Sequence, residues 1–314
     1  MNRKTLRATA AALFGAALLA GPAAADDLTI ATSVPSLGFP FFVHMQNELN
    51  KEAEALGGIE TVNYDGQNST PKQTADMEAA IISGVNGLVI SPLDSVAMAP
   101  AVRQVVEAGI PVVTIDRTVT GVDGILGHVG ADNVKGGVAQ GELVKTLFPD
   151  GARIVNLQGQ PGASPAIDRN KGLHESLDPM PDKYVFVAEQ TANFAREEGA
   201  SVTEAILGGL DTPPDVIVAA NDDMALGAMQ VVKERGLDVA IIGFDALPEA
   251  LAAIRDGGLT ATIEQMPGGQ SQEAMRAVVS FIRDGTKPEP VLLLTPIAIT
   301  KDNLDKAERL GEIN

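Results

Sequence analysis

The chain reads as an α/β protein: two doubly wound parallel-sheet lobes joined by three crossing strands. Three observations predict this. Short runs rich in Val and Ile alternate with longer segments of helical period, and the alternation restarts after about residue 130. Five runs also end on a residue that can hydrogen-bond a small polar molecule: Ser91 after GLVI, Asp116 and Arg117 after VVTI, Asn221 after VIVAA, Asp245 after IIGF, and Gln265 after LTATIE. In an open α/β sheet the carboxyl ends of the strands face one crevice, so these distant residues are expected around a single ligand.

The elements follow in order. Arg3, Lys4 and Arg7 precede a small apolar run, Ala8 to Ala20, and Ala23-Ala24-Ala25 offers a cleavage site, so residues 1–25 read as a secretory signal peptide. Pro22 and the small-residue tail cut the run short of the roughly 20 apolar residues that a membrane anchor needs. Next come LTIATS, a helix over 40–56, ETVNY, a helix over 71–83, GLVIS, a helix over 97–108 and PVVTID. GLVIS and PVVTI are apolar almost throughout, as expected of strands buried on both faces. Pro40, Pro71 and Pro111 punctuate element boundaries.

The second series is a helix over 133–147, RIVNLQ, a helix over 166–177, YVFVAE, a helix over 194–207, VIVAA, a helix over 224–234 and VAIIGF. The closing stretch, TATIEQ, a helix over 269–283 and VLLLTPIAIT, is too small for a domain and is expected to complete both sheets. The crossings are placed near Gly130, Gln265 and Leu294. One lobe is then 26–130 with 266–294, the other 131–265 with 295–314.

Composition narrows the function. Without its leader the chain has 289 residues, enough for two ordinary cores. It has no cysteine, which excludes disulfides, thiol chemistry and thiolate metal sites. The leader takes three of the 23 basic residues, leaving 20 against 41 acidic ones and a formal charge of −21. That field and the lack of any basic run exclude nucleic acid as a partner.

Catalytic signatures are missing. No G-x-G-x-x-G follows the first strand, and no P-loop or G-x-S-x-G elbow occurs. The loop from Gly159 to Gly162 reads as a turn. His44, His128 and His174 lack metal-ligand spacing, and Asp116, tied to Arg117, is expected to stay ionised rather than act as an acid. No catalytic residue, cofactor or metal is expected.

Seven ordered segments carry a resemblance: PFFV at 40–43, TIDR at 114–117, ADNVKGG at 131–137, LQGQPGAS at 157–164, ANDDMALGA at 220–228, GFD at 243–245 and ATIEQ at 261–265. Through them the chain resembles the periplasmic sugar-binding proteins of the ribose-binding type, the solute receptors of ABC importers. The resemblance implies a periplasmic monomer that closes by a hinge on a monosaccharide or sugar alcohol and delivers it to an inner-membrane permease. Reporting ligand to a membrane sensor is the alternative. The lactose-repressor class shares the module behind a DNA-binding segment, but here the leader occupies that place.

Residue by residue, the resemblance implies that Phe41 and Phe42 stack on the ligand and that Asp116 and Arg117 bind hydroxyls. Arg169, Phe194, Asn221, Phe244, Asp245 and Gln265 fall on the second lobe's contact positions. Phe39 and Ser91, also candidate contacts, stand where asparagines are usual. They point away from ribose and toward a pentose, tetritol, pentitol or deoxygenated sugar with a less polar edge.

The residue types suit such a ligand. Hydroxyls both donate and accept, so carboxylates and a guanidinium fork make charge-assisted bonds to them, while aromatic faces cover the C–H surface. The chain has nine Phe, two Tyr and no Trp, yet Phe39, Phe41, Phe42, Phe194 and Phe244 all occupy expected cleft positions.

Overall fold

The computed structural model describes residues 27–313; the expected leader lies outside them. The chain starts with β1 (Leu28–Val34), α1 (Pro40–Leu56), β2 (Ile59–Asp65), α2 (Thr70–Ser83), β3 (Gly87–Ile90), α3 (Ala99–Glu107), β4 (Val112–Ile115) and β5 (Gly127–Ala131). It continues with α4 (Asn133–Leu147), β6 (Ala152–Gln158), α5 (Ser164–Leu177), β7 (Tyr184–Thr191), α6 (Arg196–Gly209), β8 (Val216–Ala219), α7 (Asp222–Glu234), β9 (Ala240–Ile242), α8 (Pro248–Asp256) and β10 (Ala261–Glu264). Then come α9 (Pro267–Asp284), β11 (Val291–Leu294), β12 (Ile297–Thr300) and two short 3-10 turns, Lys301–Lys306 and Leu310–Glu312.

Two six-stranded sheets result, ordered β11-β5-β4-β3-β1-β2 and β12-β10-β9-β8-β6-β7. All pairings are parallel except β10 with β12. The chain passes between the sheets after β5, after β10 and between β11 and β12. Strands β3, β4 and β8 are buried at every residue, because helices cover both faces of each sheet.

Local chemistry sets the helix ends. The Ser69 hydroxyl accepts from Lys72 N to cap α2, Asp132 accepts from Lys135 N to cap α4, and Asn221 accepts from Met224 N to cap α7. Gly84 closes α2 at φ 64° and Gly257 closes α8 at φ 82°, left-handed conformations in which glycine carries no Cβ penalty.

Two elements are absent from the sequence reading. β5, GHVGA, has two glycines and no apolar run; it is a strand because β4 and β11 pair with it on either side. α8 is only nine residues long, though Pro248 at its start and Gly257 at its end mark it. VLLLTPIAIT divides into β11 and β12 around Thr295-Pro296, each strand joining a different sheet.

Candidate functional site

The carboxyl ends of the strands of both sheets converge on one small cavity. Ten of the twelve predicted residues line it: Phe39, Phe41, Phe42, Asp116, Arg117, Arg169, Phe194, Asn221, Asp245 and Gln265. Pro165 and Asp223 complete the wall.

Ser91 and Phe244 are not among the lining residues, and each lies against one that is. Ser91, fully buried after β3, donates its hydroxyl to Asp116 Oδ2 at 3.3 Å. Phe244 is likewise fully buried, and its ring lies 3.6 Å beneath the Arg169 guanidinium carbon.

The first lobe supplies one acid and one base side by side. Asp116 follows β4 at φ 61°, and its Oδ2 lies 3.7 Å from Arg117 Nε. Arg117 Nη1 donates to Leu93 O at 2.9 Å, which fixes the plane of the guanidinium. Its central carbon lies 5.2 Å from the Phe42 ring centroid and 5.6 Å from that of Phe194, so aromatic surface from both lobes meets one cation.

The second lobe repeats the pairing. Arg169, on α5, donates from Nε to Asn133 Oδ1 at 2.8 Å and from Nη1 to Ala220 O at 2.7 Å, with Asp245 Oδ1 at 3.4 Å. Gln265, at the crossing after β10, donates to the same Asp245 oxygen at 2.6 Å. Asn221 spends its side chain locally: Oδ1 caps α7 and Nδ2 donates to Phe194 O at 3.0 Å.

Three site residues hold backbone conformations that L side chains rarely adopt: Asp116 and Phe194 at φ 61° and Asp245 at φ 115°. Such conformations cost about 1–3 kcal/mol each and gather where a side chain must be aimed.

Burial works against the ionised form of each charged group at the cavity. Burial raises Asp116, opposed by Arg117 and Arg169, and burial raises Asp245 to about 7 against the pull of Arg169. Burial also lowers Arg117 to about 10 and lowers Arg169, with the facing aspartates acting the other way. The third acid, Asp223, takes a hydrogen bond of 2.9 Å from Arg196. The lining thus carries three carboxyl groups, Asp116, Asp223 and Asp245, and two guanidinium groups, Arg117 and Arg169, while Arg196 lies outside it and also pairs with Glu249 at 2.8 Å.

Two buried polar atoms on the lining side chains have no hydrogen-bond partner within the protein: Arg117 Nε, a donor, and Gln265 Oε1, an acceptor. A hydroxyl serves either.

The histidines stand apart from this chemistry. His44, on α1, faces Glu308 at 3.5 Å and Glu312 at 3.7 Å; His128 is buried in β5 against Thr114; His174 bridges Asp178 and Glu189 at 2.9 Å each. Among the described residues no group of three or more potential ligands could hold a metal ion, and no helix is long and apolar enough to cross a membrane.

Asp223 was legible as the second acid of ANDD, but its place in the first turn of α7 reads equally as a favourable charge at a helix start. Pro165 carries no polar signal that could have marked it.

Known proteins resemble this chain over most of its length. The ribose import binding protein RbsB of Bacillus subtilis is 40% identical over 243 residues, covering 77% of each chain. That of Escherichia coli K12 is 37% identical over 270 residues, covering 85% of this chain and 88% of its own. The crystal structure of the Caulobacter myo-inositol binding protein bound to myo-inositol superposes with a TM-score of 0.88 at 42% identity, covering 92% of this chain and 98% of that one. With residues 30–287 also matching the periplasmic binding protein domain, the chain belongs to the periplasmic binding protein family and is a solute receptor rather than an enzyme.

Proposed function

We propose that the cavity holds one neutral, ring-shaped polyol, an inositol-type cyclitol before an open-chain pentitol or tetritol. The observation that carries this is the pairing of aromatic surface from opposite lobes, Phe42 and Phe194, around a set of acidic and basic side chains able to bind hydroxyls. A ring with C–H faces and hydroxyls at its rim fills apolar walls and polar edges together, while an open chain must first lose its torsional freedom. The myo-inositol bound by the Caulobacter relative supports this choice. Phe39 and Ser91 support it against ribose.

In this reading the ten lining residues found from sequence are the ligand contacts, and Pro165 and Asp223 join them. The closing bodies are 26–130 with 266–294 and 131–265 with 295–314, turning about the three crossings. The protein works in the periplasm, as a monomer, and hands its ligand to the inner-membrane permease of an ABC importer. The relatives named as import binding proteins favour delivery over sensing.

The test is calorimetric titration of the mature protein with myo-inositol, D-ribose, xylitol and D-allose. The expected result is myo-inositol bound at least tenfold more tightly than D-ribose. Ribose binding as tightly as any other member of the panel would overturn the ligand assignment.

A further inference from the structure

Outside the ligand cavity the lobes touch where His44 faces Glu308 and Glu312, and again at a hydrogen-bonded seam. A single loop of the second lobe, residues 160–164 between β6 and α5, is gripped by loops that follow three strands of the first. After β2, Asn68 Oδ1 accepts from Gln160 Nε2 at 2.9 Å. After β3, the Ser95 amide and hydroxyl both donate to Gly162 O at 2.9 Å. After β4, Thr118 N donates to Ser164 Oγ at 2.9 Å, and Arg117 Nη1 reaches Gln160 Oε1 at 3.4 Å.

None of Asn68, Ser95, Gln160, Gly162 and Ser164 lines the cavity. All join residues of different sheets, so the bonds exist only while the lobes are together. The backbone on both sides is set for the contact. Asn68 sits at φ 53°, with its amide held by Pro35 O, and Asp94 Oδ1 accepts from Val96 N and Ala97 N, which fixes the loop that carries Ser95. Gly162 sits at φ 84°, and a Cβ there would come within 1.9 Å of Asp94 Oδ2 across the seam.

We infer that the 160–164 loop is a latch, and that Gln160, Ser95 and Ser164 are positioning residues that set how long the closed form lasts without touching what it holds. The inference rests on the hinge-closure reading. A bond made only in the closed form multiplies the closed population by the same factor for every ligand, so it changes affinity but not selectivity. Because encounter takes place with the open form, the change falls on the release rate. Gln160 has a second part to play, since its amide joins a cavity residue, Arg117, to Asn68 in the latch.

The test compares the full mature protein with its Gln160→Ala, Ser95→Ala and Ser164→Ala variants, using myo-inositol and D-ribose as probes in surface plasmon resonance. A net worth of one ordinary hydrogen bond predicts release faster by roughly three- to tenfold per variant. Association rates, the ratio of the two affinities and the melting temperature of the ligand-free protein should stay at the parental values. A parental release rate, or an altered affinity ratio, overturns the latch.

Gly162→Ala supplies a second reading, because its methyl group meets Asp94 only when the lobes close. Its radius of gyration by X-ray scattering with saturating myo-inositol should remain that of the ligand-free form, and contraction like that of the parent counts against the seam. If the parent itself does not contract with either probe, the closure reading fails. If it contracts while Gln160→Ala releases at the parental rate, the latch alone fails.

Discussion

Arg169 ties several parts of the site together, with Asn133, Ala220, Asp245 and the Phe244 face all against its guanidinium. Arg169→Ala is therefore expected to weaken binding at least tenfold, about 1.4 kcal/mol, and also to lower the stability of the ligand-free protein by about 3 kcal/mol, because Asp245 loses its buried partner. Asp245→Ala should show the same loss of affinity with a smaller loss of stability, since Arg169 keeps its bonds to Asn133 and Ala220. Titration calorimetry and urea unfolding measure the two effects separately; unchanged affinity in both variants would remove these residues from the site.

His128 tests a different property of single residues. Burial holds its value down at about 4 from the ordinary 6.5, so it is neutral in the folded protein while the unfolded chain takes up a proton through that window. Its contribution is therefore fully present above pH 6.5 and is lost as pH falls toward 4, about 3 kcal/mol in all. His128→Gln should flatten the acid limb of stability against pH between those limits. A limb as steep as the parent's would show that His128 is not the group responsible. The sequence located such residues well but could not aim them. Phe244 and Asp245 follow β9 in a bend where Asp245 takes φ 115°, and there one side chain meets the cavity while the other packs under Arg169. Ser91 marks a strand end as clearly as Asp116 does, yet its short arm reaches only its neighbour.

Helix contacts position the site from one step further out. α4 and α5 pack with their backbones almost touching: a Cβ on Gly137 would come within 2.1 Å of Arg169 O, and one on Gly172 within 2.0 Å of Val134 O. Gly137→Ala must push α5 away, and α5 carries Arg169. We expect this variant to lose about 1–3 kcal/mol of stability and to bind at least tenfold more weakly, though residue 137 lines no part of the cavity. Parental affinity in Gly137→Ala would mean that the helix pair does not set the position of Arg169. This dependence was hidden in the sequence, where ADNVKGG shows two glycines in a helix without showing what they face. The long amphipathic helices and apolar strands were legible because each carries its own period. β5 was not, since neighbouring strands make it a strand, and α8 was missed although both of its ends are signalled in the sequence.

At the level of the whole molecule, a ligand held in the proposed site by side chains from both lobes is expected to couple two bodies that otherwise meet through three crossings, the contact of His44 with Glu308 and Glu312, and a seam. Binding at a concentration of about 100 times Kd adds roughly 2.7 kcal/mol to the folded state. For bodies of this size that is a rise of about 5–10 °C in melting temperature. In the proposed site Asp116, Arg117 and Phe42 belong to one lobe and Arg169, Asp245 and Phe194 to the other, so neither lobe should unfold without releasing the ligand. Differential scanning calorimetry with saturating myo-inositol should therefore show both lobes melting in one transition that shifts as a unit. Two transitions, with only one moved by ligand, would place the bound molecule on a single lobe and contradict a site shared between them.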